Sequence, residues 1–456
     1  MQNINREHPE YIARKAMWKQ YKDLYAGGER LRMDAAEYLV RRHKEPAEVY
    51  QERLNRVFYE NYIGSIVDWY AATLLRREPV VQFEGNDSGA KKFYSVLADD
   101  CDLKGTNLYE FFRQQFVQVM VCGSSFVVID FPKAEVAPRT RAEEDASGRS
   151  RAYLTDYSAE EVINWNHDET GGLDWVVIRT SCLQQSQITD AQWEKETRWI
   201  YYDREKYQIY RKAGEAKAIE LIDEGPHALA MQRRVPVFEM KVSNGLWLMN
   251  KAALLQLEHF NKSNALSWAL TMGLFAMPVV YSEREWNQIA GESYYIQLGP
   301  NDRFGWTEPE GKVYQIAADN LVRLKDEIYR VCYLMNQAEN ARGGYLQTSG
   351  LSKQIDFSVT QEVLRSYGDT LKETMKQVLR AIAEARQDEV QIDVSGMDEF
   401  DIGDFSNDLD DAKKLLELGI ESETLKKQVF KKLALKYLCD TRQEIKNRVA
   451  EEIDRT

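Results

Sequence analysis

The chain has 456 residues, 44% of them apolar and 29% charged, with a formal net charge of −13. That length gives about two to four domains with ample core. The acidity excludes a general duplex-binding protein, because phosphate neutralisation needs clustered Lys and Arg. The five cysteines (Cys101, Cys122, Cys182, Cys332, Cys439) are widely spaced with no C-x-x-C pair, which argues against a disulfide framework and fits a reducing compartment. The charged opening contains no apolar stretch, so no secretory leader is expected.

The first region, about 5–80, reads as helical. Tyr11, Met17, Trp18, Tyr21 and Leu24 share one face and end at Gly27-Gly28. A second helix is predicted from Pro46 through Leu54, Val57 and Phe58, and a third from Tyr62 to about Arg76. Val80 to Phe83 reads as a short strand, Leu108 to Met120 as a helix, and Ser125 to Asp130 as a buried strand after Cys122-Gly123. The polar segment 133–151 reads as a surface loop.

Strands then dominate. Tyr153-Leu154 and the unit Tyr157 to Trp165 precede a Gly171-Gly172 turn and the strand Trp175 to Arg179. Trp199 to Tyr202 and Tyr207 to Tyr210 flank Asp203-Arg204-Glu205-Lys206 as a hairpin. Val235 to Phe238 closes this antiparallel part, and Pro236 places it at an edge.

Two long helices, about 247–275 and 315–342, bracket an aromatic, Gly- and Pro-containing insert that reads as short strands and a helical turn. They read as a protruding arm that must pack on something else, most simply on copies of itself in a ring. Ser263 to Ser282 carries no charge over 20 residues, the length of a bilayer span. Its Ser, Asn, Thr and Gly residues and Pro278 favour a helix buried between protein neighbours. Residues 343–357 read as a loop, followed from about 358 by the clearest helix, with Val359, Val363, Tyr367, Leu371, Met375, Val378 and Ile382 on one face. Val390 to Val394 is a short strand. Asp388 to Asp411 holds ten acidic residues in 24 with no Lys or Arg, a linker-like boundary. The tail reads as helices over 409–418, 423–438 and 440–453, the second starting at Ser422.

Nucleotide-binding glycine loops and His- or Cys-based metal spacings are absent from the sequence. Cys122-Gly123-Ser124-Ser125 lacks the order and second glycine of a nucleophile elbow. His167-Asp168-Glu169 could serve a metal-dependent hydrolase or nuclease in a closed pocket, but it precedes Gly171-Gly172 and reads better as a solvated turn.

The chain resembles the portal (head–tail connector) proteins of tailed bacteriophages. Arg6 to Tyr11 with Trp18 is similar to the family's opening helix. Tyr50 to Leu54, Tyr62, Val67-Asp68 and Leu75 to Pro79 are similar to the helix that follows. Tyr153-Leu154 with Tyr157 to Trp165 is the most specific piece, and Leu415 to Thr424 with Ala450 to Ile453 is similar to the C-terminal helices. The resemblance implies an α+β portal fold. It would have a wing (1–246, with 358–405 returning to it), stem helices (247–275 and 315–342), a small β-containing clip (276–314), a tunnel loop (343–357) and a helical crown (406–456).

It also implies a homododecameric ring at one capsid vertex of the virion, assembled in the host cytoplasm. Double-stranded DNA would be packaged through it by an external terminase ATPase and later ejected. The partners would be the terminase large subunit, the major capsid protein, scaffold and a head–tail adaptor, with no membrane, cofactor, metal or catalysis. Leu254, Leu257, Asn261, Asn264 and Trp268 would form the stem interface between subunits. Trp286, Tyr294, Tyr295, Arg303 and Trp306 would face the terminase and adaptor. Arg342, Gly343, Gly344, Tyr345, Gln347, Thr348, Ser349, Ser352 and Lys353 would face DNA, with Arg342 and Lys353 as the phosphate contacts or, equally, as inter-subunit ion pairs.

Overall fold

A computed structural model describes residues 3–76, 78–84, 88–132, 151–184, 193–214, 218–273, 277–282, 300–307, 311–334, 350–397, 405–417 and 422–438, with 445, 448–450 and 452–453 beyond. The fold is α+β. Two compact units are present: Met1–Lys22 with Ser65–Lys251 and Gln347–Thr456, and Asp23–Gly64 with Ala252–Leu346. The region 1–246, expected to form one wing, is therefore divided, and 23–64 belongs with the arm.

The chain opens with α1 (Pro9–Ala26), then α2 (Gly28–Met33), α3 (Ala35–Tyr38) and α4 (Ala47–Asn55) of the smaller unit, and continues with α5 (Tyr62–Leu74), α6 (Ser88–Asp99) and α7 (Leu108–Cys122). Asn107 caps α7 by accepting from Glu110 N at 2.7 Å, and Gly123 ends it at φ 86°. The carbonyls of the last turn have no helical donor. Two indoles supply them: Trp247 Nε1 donates to Val121 O and Trp18 Nε1 to Cys122 O, each at 2.9 Å. A Cβ at position 123 would sit 3.0 Å from the Trp247 ring, so glycine is required by space as well as by φ.

The chain reverses there into β2 (Ser124–Asp130), the centre of a three-stranded antiparallel sheet between β3 (Tyr153–Ser158) and β9 (Val237–Lys241). Among the described residues β9 is an edge strand, in line with the expectation from Pro236, which lies just before it. Five more strands, β4 (Val162–His167), β5 (Leu173–Gln184), β6 (Glu194–Tyr202), β7 (Lys206–Ala213) and β8 (Glu220–Pro226), form an antiparallel meander in sequence order. Val162, Val176, Ile178, Tyr202 and Tyr207 line one face and pack with Val128, Val235 and Val237. β1 (Val80–Glu84) pairs with β12 (Gln391–Ser395), and Phe83 stacks on Tyr94 of α6 at 4.7 Å.

In the smaller unit α8 (Leu248–Gly273) and α9 (Gly311–Val331) run antiparallel: Lys262 Nζ donates to Asn320 at 3.1 Å and Tyr314 OH to Ala269 O at 3.4 Å. They lead into a two-stranded ladder, β10 (Met277–Tyr281) on β11 (Arg303–Thr307). The predicted arm of two helices around a small β insert is thus present. Its second helix ends at Val331 rather than 342, because Tyr333 turns into the left-handed region (φ 62°) and Leu334 N bonds Tyr329 O.

Three further expectations are corrected. The loop over 343–357 is helical from Gly350, where the 37-residue α10 (Gly350–Arg386) begins. The acidic stretch 388–411 is not simply a linker; it contains β12 and the start of α11 (Phe405–Glu417). The helix expected to reach Phe58 ends at Asn55. α6 and β8 have no counterpart in the sequence reading, whereas the stripe of α10 is buried from Val363 to Ile382 with Val359 exposed. Ser422 caps α12 (Glu423–Tyr437) by accepting from Leu425 N at 3.2 Å. The loop 133–150 and the helix start at Asp440 lie outside the described residues.

Candidate functional site

The arm's base is built by amide side chains on α8, spaced three to five apart so that they share one side of the helix. Gln256 accepts from Ile63 N (3.2 Å) and donates to Glu60 O (2.8 Å). Asn261 accepts from Val40 N (2.8 Å) and donates to Tyr38 O (3.0 Å). Asn264 accepts from Phe58 N (3.2 Å) and donates to Phe58 O (2.9 Å). Each amide thus does for an irregular strand what a sheet neighbour would do, satisfying one N–H and one C=O.

Asn261 and Asn264, expected at a subunit interface, find these partners within the chain. Their hydrogen-bonding capacity is met within the same chain, so neither requires a second copy. Trp268 is half-buried with the Arg56 guanidinium 5.8 Å from its ring, and Leu257 is half-buried. Leu254 alone among the five expected interface residues is mostly exposed, at 71%. It has company on the hairpin: Val313 (64%), Ile316 (68%), Leu270 and Val322 are exposed apolar side chains of α8 and α9. Leu254 lies near the start of α8, whereas Val313 and Ile316 lie in the first two turns of α9, opposite the end of α8.

Of the expected clip residues, Arg303 and Trp306 lie on β11, opposite Tyr281 and Pro278, and Arg303 is exposed. Trp286, Tyr294 and Tyr295 lie outside the described residues, as do Arg342, Gly343, Gly344, Tyr345, Gln347, Thr348 and Ser349. Ser352 and Lys353 are in the first turn of α10, not in a loop.

His167 and Asp168, but not Glu169, border a cleft of about 580 Å³ with Trp165, Arg204, Arg234 and Phe238 on its walls. Asp168 is nevertheless committed to its turn. One oxygen accepts from Thr170 N (2.8 Å), Thr170 Oγ1 (2.6 Å) and Gly172 N (2.9 Å), and the other from Arg204 at 2.6 Å. The Thr170 hydroxyl, and after it the turn amides and Arg204, hold its carboxyl below the usual carboxylate range. A carboxylate so engaged, with its proton affinity lowered, is a weak general base. Among the described residues no three His, Cys, Asp or Glu side chains converge as metal ligands, and no helix is long and apolar enough to cross a membrane.

Sequence reasoning missed Gln256 and the neighbouring His259, which is 2% exposed. The signal available was a single Gln and a single His set among apolar residues of the helix.

No family model matches the chain, and no curated protein matches it. Solved structures similar to it include a chain from the neck of an empty gene transfer agent (GTA) particle, computed with C6 symmetry. That chain is 11% identical, with a TM-score of 0.41, over 81% of this chain and 90% of the other. Another comes from the virion of a native GTA particle, 10% identical with a TM-score of 0.39, over 79% and 88%. Scores this low do not establish a shared fold.

Proposed function

We propose that the chain is a ring-forming subunit of a phage-type head–tail connector, a portal through which double-stranded DNA enters and leaves a capsid. The observation that carries this reading is the hairpin of α8 and α9, which keeps Leu254, Val313 and Ile316 mostly exposed. A head-to-tail interface closed into a ring buries such a flank on every copy, with no edge left over. The net charge of −13 fits a conduit that gives phosphate little to adhere to. On this reading the β10–β11 end of the arm receives the packaging ATPase and the adaptor, and the remainder meets capsid protein and scaffold. About twelve copies would form the ring, as the portal resemblance implies. The chain itself makes and breaks no bond.

The test is the particle mass of the purified chain by native mass spectrometry, with negative-stain images. Ring particles are expected. Burying a Leu or Ile side chain is worth about 1.5–3 kcal/mol. Leu254→Asp with Ile316→Asp should therefore weaken each contact by roughly two orders of magnitude or more and yield smaller species. A folded, single-copy wild-type particle would overturn the proposal.

A further inference from the structure

We propose that the seam at the base of the arm is an acid-sensitive latch whose titrating group is His259. The inference stands on the geometry of the smaller unit and does not depend on ring formation.

The His259 ring, 2% exposed, sits on α8 against the segment leading into α5. Its Nε2 lies 3.4 Å from Glu60 Oε2, and the Tyr62 ring meets it edge-on at 5.0 Å. Its Nδ1 is buried with no hydrogen-bond partner among the described residues. The ionisable groups around it come from both neighbouring elements. Glu60 and Tyr62 precede and open α5; Lys325 of α9 lies 5.7 Å from the Tyr62 ring, and Tyr329 of α9 meets that ring at 6.4 Å. On α8 itself Glu258 and Lys262 pair with each other at 2.9 Å.

This arrangement suits a neutral imidazole with its proton on Nε2, directed at Glu60. A second proton would go to Nδ1, where nothing accepts it, and would place a cation near Lys325. Glu60 offsets this weakly, since its side chain is 47% exposed and screened by water. Burial first, and Lys325 with it, hold the imidazole below its ordinary value against the pull of Glu60. The proton therefore enters when the seam opens, and acid favours the open state. The same seam carries the Gln256 bonds to Ile63 and Glu60, so its opening frees α8 from residues 60–63.

An opened His259 titrates near the ordinary value of about 6.5, so lowering the pH from 7.5 to 5.5 should favour opening, by at most about tenfold. The measurement is hydrogen exchange on the full chain at pH 7.5 and 5.5, corrected for intrinsic rates. Peptides covering 58–64, 252–264 and 322–332 are compared with those of α7. The seam should lose protection at pH 5.5, by several-fold up to about tenfold, and His259→Phe should abolish that loss while keeping the packing on Tyr62. Nitrogen-15 spectra of wild-type imidazoles supply a second arm that needs no variant: His259 should remain the neutral Nε2–H tautomer while the seam is closed. Unchanged seam protection, the same pH response in His259→Phe, or ordinary titration of His259 in the folded protein would each overturn the proposal.

Discussion

Replacing Asn264 with alanine separates an intrachain clamp from an inter-subunit contact. The amide makes two bonds to the Phe58 backbone, at 3.2 and 2.9 Å, and it is 7% exposed. Its third bond, to Phe260 O within the helix, is not needed by that carbonyl and is left out of the sum. Two ordinary hydrogen bonds contribute about 1–3 kcal/mol. Phe58 is itself partly exposed, so water replaces some of the loss and about 1–2 kcal/mol is expected. A chain of two compact units need not unfold in one step, so a global midpoint is the wrong readout. Native-state hydrogen exchange over 254–264 and 56–64 reports the local loss directly. The expected result is weaker protection there with particle mass unchanged. Unaltered protection, or a change of particle mass at full protection, would refute the clamp.

Gly368→Ala should destabilise the larger unit although alanine is the better helix former. The added Cβ would lie 2.3 Å from Met397 O, a backbone atom, and overpacking of about 1–3 kcal/mol outweighs a propensity gain of about 1 kcal/mol. Native-state hydrogen exchange over 363–382 in the two proteins checks the sign. His227 gives a pH dependence in the larger unit: Nε2 lies 2.8 Å from Asp203 O, Nδ1 accepts from Leu229 N, and burial pushes the imidazole down. Because the folded form prefers the neutral ring, its stabilisation is complete above about pH 6.5. It falls as the pH drops further, by at most about 1.4 kcal/mol per unit. Native-state hydrogen exchange over 200–230 between pH 7.5 and 5.5 should show that decline, flattened in His227→Gln.

Much of the local structure was legible because it follows from neighbours in sequence. The four-residue spacing from Val363 to Ile382 defined α10, Asp203 to Lys206 marked the hairpin of β6 and β7, and Pro236 marked an edge. The misses have physical reasons as well. β8 carries Glu220, Asp223 and Glu224, which are poor strand formers, and it is held by pairing with β7 rather than by its own preference. The glycines at 343, 344 and 350 suggested a loop that continued past the point where α10 starts. At the candidate site, an asparagine in an apolar helix suits a subunit interface and an intrachain clamp equally. What decides between them is the backbone of residues 38–40 and 58, about 200 positions upstream and beyond the reach of any periodicity.

The β1–β12 ladder joins residues 80–84 to 391–395 and leaves roughly 300 residues of chain between its two halves. At about 5–20 residues per second, a ribosome delivers the second strand some 15–60 s after the first. During that interval Val81 and Phe83 have no strand partner, while the hairpin with its exposed Leu254 and Ile316 has already been made. Nascent chains therefore carry the exposed apolar side chains of the hairpin before the β1–β12 ladder has closed, and products truncated ahead of Gln391 never close it. Such fragments would be the material that a cell's holding chaperones must intercept during synthesis.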